Sequence, residues 1–389
     1  MREISNPADK KRIAYIDIAK GIALLFVIFG HTFRDSMRDT YAWCALSYSI
    51  VYSFHVSTFF TLSGISYRLT LKKHLSDFPP KYIGDKAKHL LLPWFSYSVL
   101  IYLIFFAASF LPRIGDMLSD TRVSLKEYVI GMLCNNNPYS FHLWFLNTLF
   151  FAVVVTFLID RFWGEKGAKT LKIILLILVP AVYFTLDRRE FWIFISKAFS
   201  NGDVTAAGEA LFKRWNALWV IKGFLQKWPC FLLGTLIDAK MPEKNAKPLT
   251  LSGAAAFAFL IAYHILSYGK DISSWVLSFV LGYSEFVVVF FVSFGIMAVS
   301  FLLEKRLSLI ESLGKHSMTY YIYHQPFCCA VIGMILYDGL KLPVLIVVPV
   351  CFIASLVLPY ILCRIINAVK LSKLFKIIGL PTEVLSCRK

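Results

Sequence analysis

The sequence predicts an all-α fold, a polytopic membrane bundle of about ten transmembrane helices with both termini in the cytoplasm. Three observations predict it. Of the 389 residues, 58% are hydrophobic and 17% charged, where soluble domains carry about 25% charged residues. Apolar runs of about 17–25 residues, each long enough to cross a hydrocarbon core, recur along the chain. Lys and Arg gather at alternate connections, beginning with the N-terminal flank, which is the positive-inside signature.

The first run, 13–32, follows Arg2, Lys10, Lys11 and Arg12. It carries Asp17 and Lys20, lacks an Ala-x-Ala cleavage pattern and precedes further spans, so it reads as a retained helix rather than a signal peptide. Runs at 46–67 and 90–111 flank an inner stretch, 68–89, punctuated by Pro79-Pro80. Runs at 143–160 and 171–187 follow an outer stretch, 112–142. The next outer stretch, 188–216, contains a short aromatic segment, 189–200, that reads as a helix lying in the interface, and then a Gly202-Asp203 turn. Runs at 217–237, 249–268, 275–303, 316–337 and 343–366 complete the set. Trp43, Trp215, Trp219 and Trp275 fall near outer ends, as an aromatic belt requires.

No hydrophilic stretch is large enough for an independent core, so residues 1–389 read as a single domain. The net charge of +17 sits where anionic headgroups lie and requires no nucleic-acid partner; the bilayer is the partner it fits. The eight cysteines show no CxxC spacing, and neither a disulfide framework nor a metal site is indicated. No internal repeat supports an inverted-repeat transporter.

Ionisable residues inside the spans carry the chemistry. At about 100° per residue, Asp17, Lys20, His31 and Asp35 fall within an arc of about 60° on one helix face. Each charge would cost roughly 2.5–3.5 kcal/mol at the bilayer centre, so such a stripe is expected to line a protein-enclosed path. If the helix continues to Asp35, its carboxylate lies over His31 and can orient the imidazole. A histidine so held suits removal of a proton from a hydroxyl during acyl transfer. The other reading of His31 is a helix-end residue bonded to a carbonyl.

His55 sits mid-span between serines that include Ser57 and Ser63, lining the same cavity or bonding a neighbouring helix. His324 precedes Gln325 and Pro326, and the proline frees a backbone carbonyl. Glu285 is an acid in mid-span, either cavity-lining or paired with Lys222 or Lys227. The inner loop concentrates Lys81, Lys86, Lys88 and His89, which suits phosphate or lipid headgroups. No Gly-rich phosphate loop, nucleophile elbow or zinc motif is present.

Taken in order, these residues carry a resemblance. Arg12-x-x-Tyr15-Ile-Asp-x-x-Lys20-Gly21 followed by His31 resembles the start of the integral-membrane acyltransferase 3 family. Phe54-His-x-x-x-Phe59-Phe-x-Leu-Ser-Gly64, the basic stretch ending at Pro93, Leu143-Trp-Phe-Leu146 and Leu313-Gly-Lys-x-Ser-x-x-Tyr-x-Ile-Tyr-His324 continue the match. The Phe-His and Leu-Trp-Phe-Leu variants look most like the fucose 4-O-acetylase-like branch, in its stand-alone form.

The resemblance implies a multi-pass protein of the inner (cytoplasmic) membrane. It further implies an acyl-CoA donor, usually acetyl-CoA, and as acceptor a hydroxyl of a cell-surface glycan or lipid-linked sugar precursor. It maps the essential histidine onto His31, with His55 as a further catalytic candidate. The donor-binding basic and acidic positions fall on Arg12, Asp17 and Lys20, and the cation cluster on Lys86, Lys88 and His89. Ser63, Glu285 and His324 are expected to line the cavity. A transporter or flippase of glycan intermediates, which makes no bond, is the alternative.

Overall fold

A computed structural model describes residues 13–110, 123–134, 140–199, 203–270 and 275–384. Every regular element among them is helical. The first four are α1 (Ala14–His31), α2 (Asp35–Thr40), α3 (Ala42–His74) and α4 (Pro79–Ala108). There follow α5 (Leu125–Leu133), a 3-10 turn (Phe141–Leu143), α6 (Trp144–Phe162), α7 (Gly164–Leu186), α8 (Arg189–Phe199) and α9 (Val204–Ala217). The remainder comprises α10 (Trp219–Leu236), α11 (Met241–Ser267), α12 (Trp275–Leu302), α13 (Ser308–Lys315) and α14 (Ser317–Tyr323). Two π-helical stretches (Phe327–Val331 and Met334–Gly339), α15 (Val344–Ala368) and α16 (Ser372–Ile377) complete it. Pro79 and Pro80 begin α4, where a missing N–H costs no hydrogen bond.

Seven of these segments are long and apolar enough to cross a membrane: α1, α4, 141–162, α7, α11, 277–302 and α15. The three other predicted spans coincide with α3, α10 and the broken unit formed by α14 and the π-helical stretches. The third is broken into short pieces, and the lower apolarity of α3 and α10 has one cause. Along α3 stand Ser53, His55, Ser57, Thr58, Thr61, Ser63 and Ser66, and along α10 stand Lys222, Gln226 and Lys227. Most of those side chains face neighbouring helices, and His55 is 1% exposed.

The lipid-facing rim looks different. On α15, Val350, Ile353, Val357, Ile361 and Ile365 recur at three- to four-residue spacing and are all exposed. Ile173, Ile174, Ile177 and Leu178 make the same stripe on α7. Apolar side chains this numerous and contiguous require a hydrocarbon neighbour.

α1 occupies the middle. It runs antiparallel to α3, with Lys20 beside Ser66 and Gly30 against Val51 and Tyr52. Its lower half crosses α13 at backbone contact: a Cβ on Gly314 would lie 1.7 Å from the Asp17 carbonyl oxygen, and one on Gly21 2.2 Å from that of Ile310. A second crossing of this kind joins α3 to α10 at Gly64 and Gly234. Small residues let helices approach until backbone meets backbone. These two crossings fix α1, α3, α10 and the α13–α14 pair around a common interior.

At the periphery, α8 is the predicted aromatic interfacial helix, and it packs on α9 through a Ser196 hydroxyl that donates to the Val204 carbonyl at 2.6 Å. Trp43 and Trp219 are exposed, as belt residues should be. Trp215 is instead buried, its Nε1 donating to Asp187 at 3.3 Å. The side chain of Trp275 lies outside the described residues.

Candidate active site

The enclosed interior is a cavity of about 390 Å³ running along α1 from Lys20 past Val27 to His31. At 1.5 Å per residue those ends are about 16 Å apart. Tyr52, His55, Phe59 and Ser63 form its α3 wall, Gln226 and Lys227 its α10 wall. His142, Trp144 and Phe145 close it from α6 and its entry turn, and Ser317, Met318 and Tyr321 from α14. A single stripe of α1 therefore faces walls contributed by α3, α6, α10 and α14.

Four imidazoles gather at the His31 end. The rings of His31 and His324 are 5.2 Å apart, and those of His142 and His324 5.6 Å. His55 stands one turn along α3 from Tyr52, with ring centroids 4.8 Å apart. A backbone carbonyl only accepts a hydrogen bond, so a nitrogen that meets one carries the proton. His55 therefore donates through Nδ1 to Val51 at 2.6 Å, His324 through Nδ1 to Tyr321 at 2.7 Å, and His142 through Nε2 to Ile322 at 3.2 Å.

His31 differs, because its Nδ1 lies 3.1 Å from the hydroxyl of Tyr52. A hydroxyl can give or take, so this imidazole can exchange tautomers without losing its bond. Tyr52 is held in turn by stacking on Tyr48 at 3.8 Å, and Arg38 covers Tyr48 from 3.9 Å.

Asp35 does not orient His31. α1 ends at His31 because Thr32 bonds back to Phe29 through its hydroxyl at 2.7 Å. Arg34 then anchors the departing chain to Asp338 and to the Ala330 carbonyl, both at 2.8 Å. Asp35 opens a separate helix, is 86% exposed and pairs with Arg38. The hydrogen bond expected from the carboxylate comes from Tyr52.

Glu285 does not line the cavity either. It faces α3 and α11, accepting from the Ser53 hydroxyl at 2.5 Å and lying 3.6 Å from His264 Nε2. The two lysines considered as its partners are engaged elsewhere: Lys222 with Asp187 at 2.5 Å, and Lys227 with the Ser57 hydroxyl at 3.1 Å. His324 is fully buried behind the wall rather than in it. Its Nε2 has no hydrogen-bond partner among the described residues, and it reaches the cavity through His31 and His142. The carbonyl freed by Pro326 is that of Ile322, four residues back, and it accepts from His142 Nε2 at 3.2 Å, while Tyr97 donates to the Gln325 carbonyl at 2.8 Å.

His31, His55, Ser63 and Lys20 do line one cavity, and Lys20 donates to Ser66 at 3.3 Å. Asp17 is buried at the foot of α1 beneath Gly314. Lys86 stands outside the cavity wall, 5.0 Å over the ring of Tyr82, and Lys88 is exposed. Arg12 lies outside the described residues. Among the described residues no three His, Cys, Asp or Glu side chains converge as a metal site would need.

A family model described as an acyltransferase domain, acyltransferase 3, matches residues 13–364. The chain belongs to this family. Neither a curated protein nor a solved structure matches it. Membership makes this chain a multi-pass membrane acyltransferase.

Tyr52, His142, Tyr321 and Lys227 also line the cavity, beyond the residues expected from the sequence. A signal existed for Tyr52. Antiparallel neighbours pair residues equidistant from their connection, and Gly30 does meet Val51 and Tyr52 across the segment that holds α2. Lys227 was visible as a charge within a span. His142 and Tyr321 gave none, because only tertiary packing brings α14 beside α6: the Tyr321 hydroxyl donates to the His142 carbonyl.

Proposed function

We propose that this chain moves an acyl group, most simply acetyl, from cytoplasmic acyl-CoA to a hydroxyl of a cell-surface glycan or lipid-linked sugar precursor. The observation that carries the reading is the polar stripe of α1, which runs from Lys20 to His31 inside one protein-walled cavity. In the orientation given by the basic flanks, the Lys20 end faces the cytoplasm and the His31 end the far leaflet. The membrane is then the inner one. A cavity of about 390 Å³ suits a short acyl group on a slender arm better than a long chain. The motif variants that resemble the fucose 4-O-acetylase-like branch support a sugar hydroxyl as acceptor.

In this mechanism His31 carries its proton on Nδ1, held by Tyr52, and presents the Nε2 lone pair to the acceptor hydroxyl. Nε2 takes the proton as the hydroxyl oxygen attacks the thioester carbonyl. The carbon–sulfur bond breaks, and the departing thiolate takes up the proton from the imidazolium. Lys227, buried in the same wall, supplies positive charge for the carbonyl oxygen as it becomes anionic. His55 offers a second nitrogen lone pair in the same cavity, a further proton station.

The test uses full-length protein in lipid discs with radiolabelled acetyl-CoA and glycan acceptors. His31→Ala is expected to insert and melt like the wild type while transfer falls about 10²–10⁴-fold. Wild-type transfer by that variant would overturn the role of His31. Wild-type protein that neither hydrolyses the thioester nor transfers to any acceptor would favour the transporter instead.

A further inference from the structure

The cavity around His31 is too small for a whole acyl-CoA, whose nucleotide and phosphates must rest elsewhere. A second cavity of about 400 Å³ lies beside it. Lys315, His316, Lys373 and Lys376 line it, with Ser372 and Thr382 between them. It abuts the first turn of α14, and Met318 belongs to the walls of both cavities. The first turn of α14 stands between them, and Met318, the residue common to both walls, carries a flexible thioether side chain of a type that repacks easily.

Its position is fixed by the fold. Gly314 touches α1 at Asp17 and Gly21, so the residues that follow it stand at the Lys20 end of the reaction cavity. The outer wall is the extended segment after α16, strapped down by three side chains. Tyr323 donates to the Pro381 carbonyl at 3.0 Å, Asn367 to that of Thr382 at 3.1 Å and Thr319 to that of Glu383 at 2.8 Å. Glu383 is the acid of the lining; Lys315 pairs with Glu311 outside it, whereas Lys373 and Lys376 are exposed. Lys88 and His89 lie one turn before Leu92, which packs against Gly379 at the edge of this cavity.

We propose that this basic vestibule binds the phosphate-bearing nucleotide end of the acyl donor, and that Met318 is the gate through which the thioester arm enters. The inference rests on the acyl-CoA reading above and deepens it. It moves the anion site from the loop lysines Lys86 and Lys88 to α16 and the α13–α14 junction. An anionic lipid headgroup shares the phosphate chemistry, so the experiment separates the two sources.

Binding of unacylated coenzyme A to full-length protein is measured in discs of phosphatidylcholine alone and in discs containing phosphatidylglycerol. Pantetheine, which lacks phosphate, is the comparison. The double variant Lys373→Glu/Lys376→Glu is expected to bind coenzyme A about tenfold to a hundredfold more weakly in neutral discs, with KM for acetyl-CoA rising in step. Pantetheine binding stays as in the wild type, and Lys373→Arg/Lys376→Arg restores coenzyme A affinity. Met318→Trp, closing the gate, is expected to abolish transfer while coenzyme A still binds. Equal coenzyme A affinity in wild type and Glu variant would overturn the vestibule and leave the acyltransferase reading standing. A variant that differs only in phosphatidylglycerol discs would assign the lysines to lipid and likewise overturn it. Failure of the wild type to bind coenzyme A at all would remove the acyl-CoA reading itself.

Discussion

α1 and α11 both cross the bundle, yet 61% of the apolar window of α1 is buried inside the protein against 11% for α11. α1 carries an ammonium and an imidazole on its inward stripe, whereas α11 turns Leu251, Phe259 and Leu266 outward. The same contrast separates α3 and α10 from α7 and α15. Helices that meet lipid must be apolar, because hydrocarbon offers no partner for a polar group. Helices that wall a cavity are released from that constraint and hold the functional groups. In α1, α3 and α10 low apolarity marks position next to the site, whereas α6 adjoins it and stays apolar.

The largest effects should follow changes at the inner crossings. Gly314→Ala places a Cβ on the backbone of α1 and is expected to cost both folded protein and activity, read as lost thermal stability in lipid discs. Gly84→Ala, where nothing lies within 4 Å, should instead stabilise by about 0.5–1 kcal/mol. Equal behaviour of the two would break the comparison between inner and peripheral packing. Next, Leu24→Ala in the core should destabilise by about 2–5 kcal/mol. Ile361→Ala on the lipid face should leave melting almost unchanged.

A third, smaller effect sharpens the site. Tyr52→Phe removes the hydroxyl bonded to His31 and keeps the ring stacked on Tyr48, so transfer should fall about tenfold, the order of one hydrogen bond. Smallest of all, Asp35→Asn is expected to change the rate by less than about twofold, since an exposed pair with Arg38 contributes little. A large loss in that variant would mean that the carboxylate, and not Tyr52, holds the imidazole.

Much of this was legible in the sequence. Each apolar run corresponds to a helix or, at 316–337, to a broken helical unit, because backbone groups in lipid must bond within their own segment. The inward stripe from Lys20 to His31 followed from helical period alone. What failed was reach beyond one helix. The Asp35 expectation assumed that α1 continues past His31, and a Thr32 hydroxyl with an Arg34 anchor on Asp338 ends it there. Glu285 has the mid-span position of a cavity residue, but helix rotation turns it to Ser53 and His264. The cluster of His31, His142 and His324 draws on three distant segments, and no local pattern reports such convergence.

Whether α1 carries a donor-accessible cavity ending at His31 is decided by an experimental structure of the full chain in lipid with a non-hydrolysable thioether analogue of acetyl-CoA. The thioether arm should lie along α1, passing Lys20, with the acyl carbon near His31 Nε2 and room for a hydroxyl between them. An analogue bound away from α1, or a Lys20–His31 stripe lying against lipid, would rule that cavity out as the reaction site.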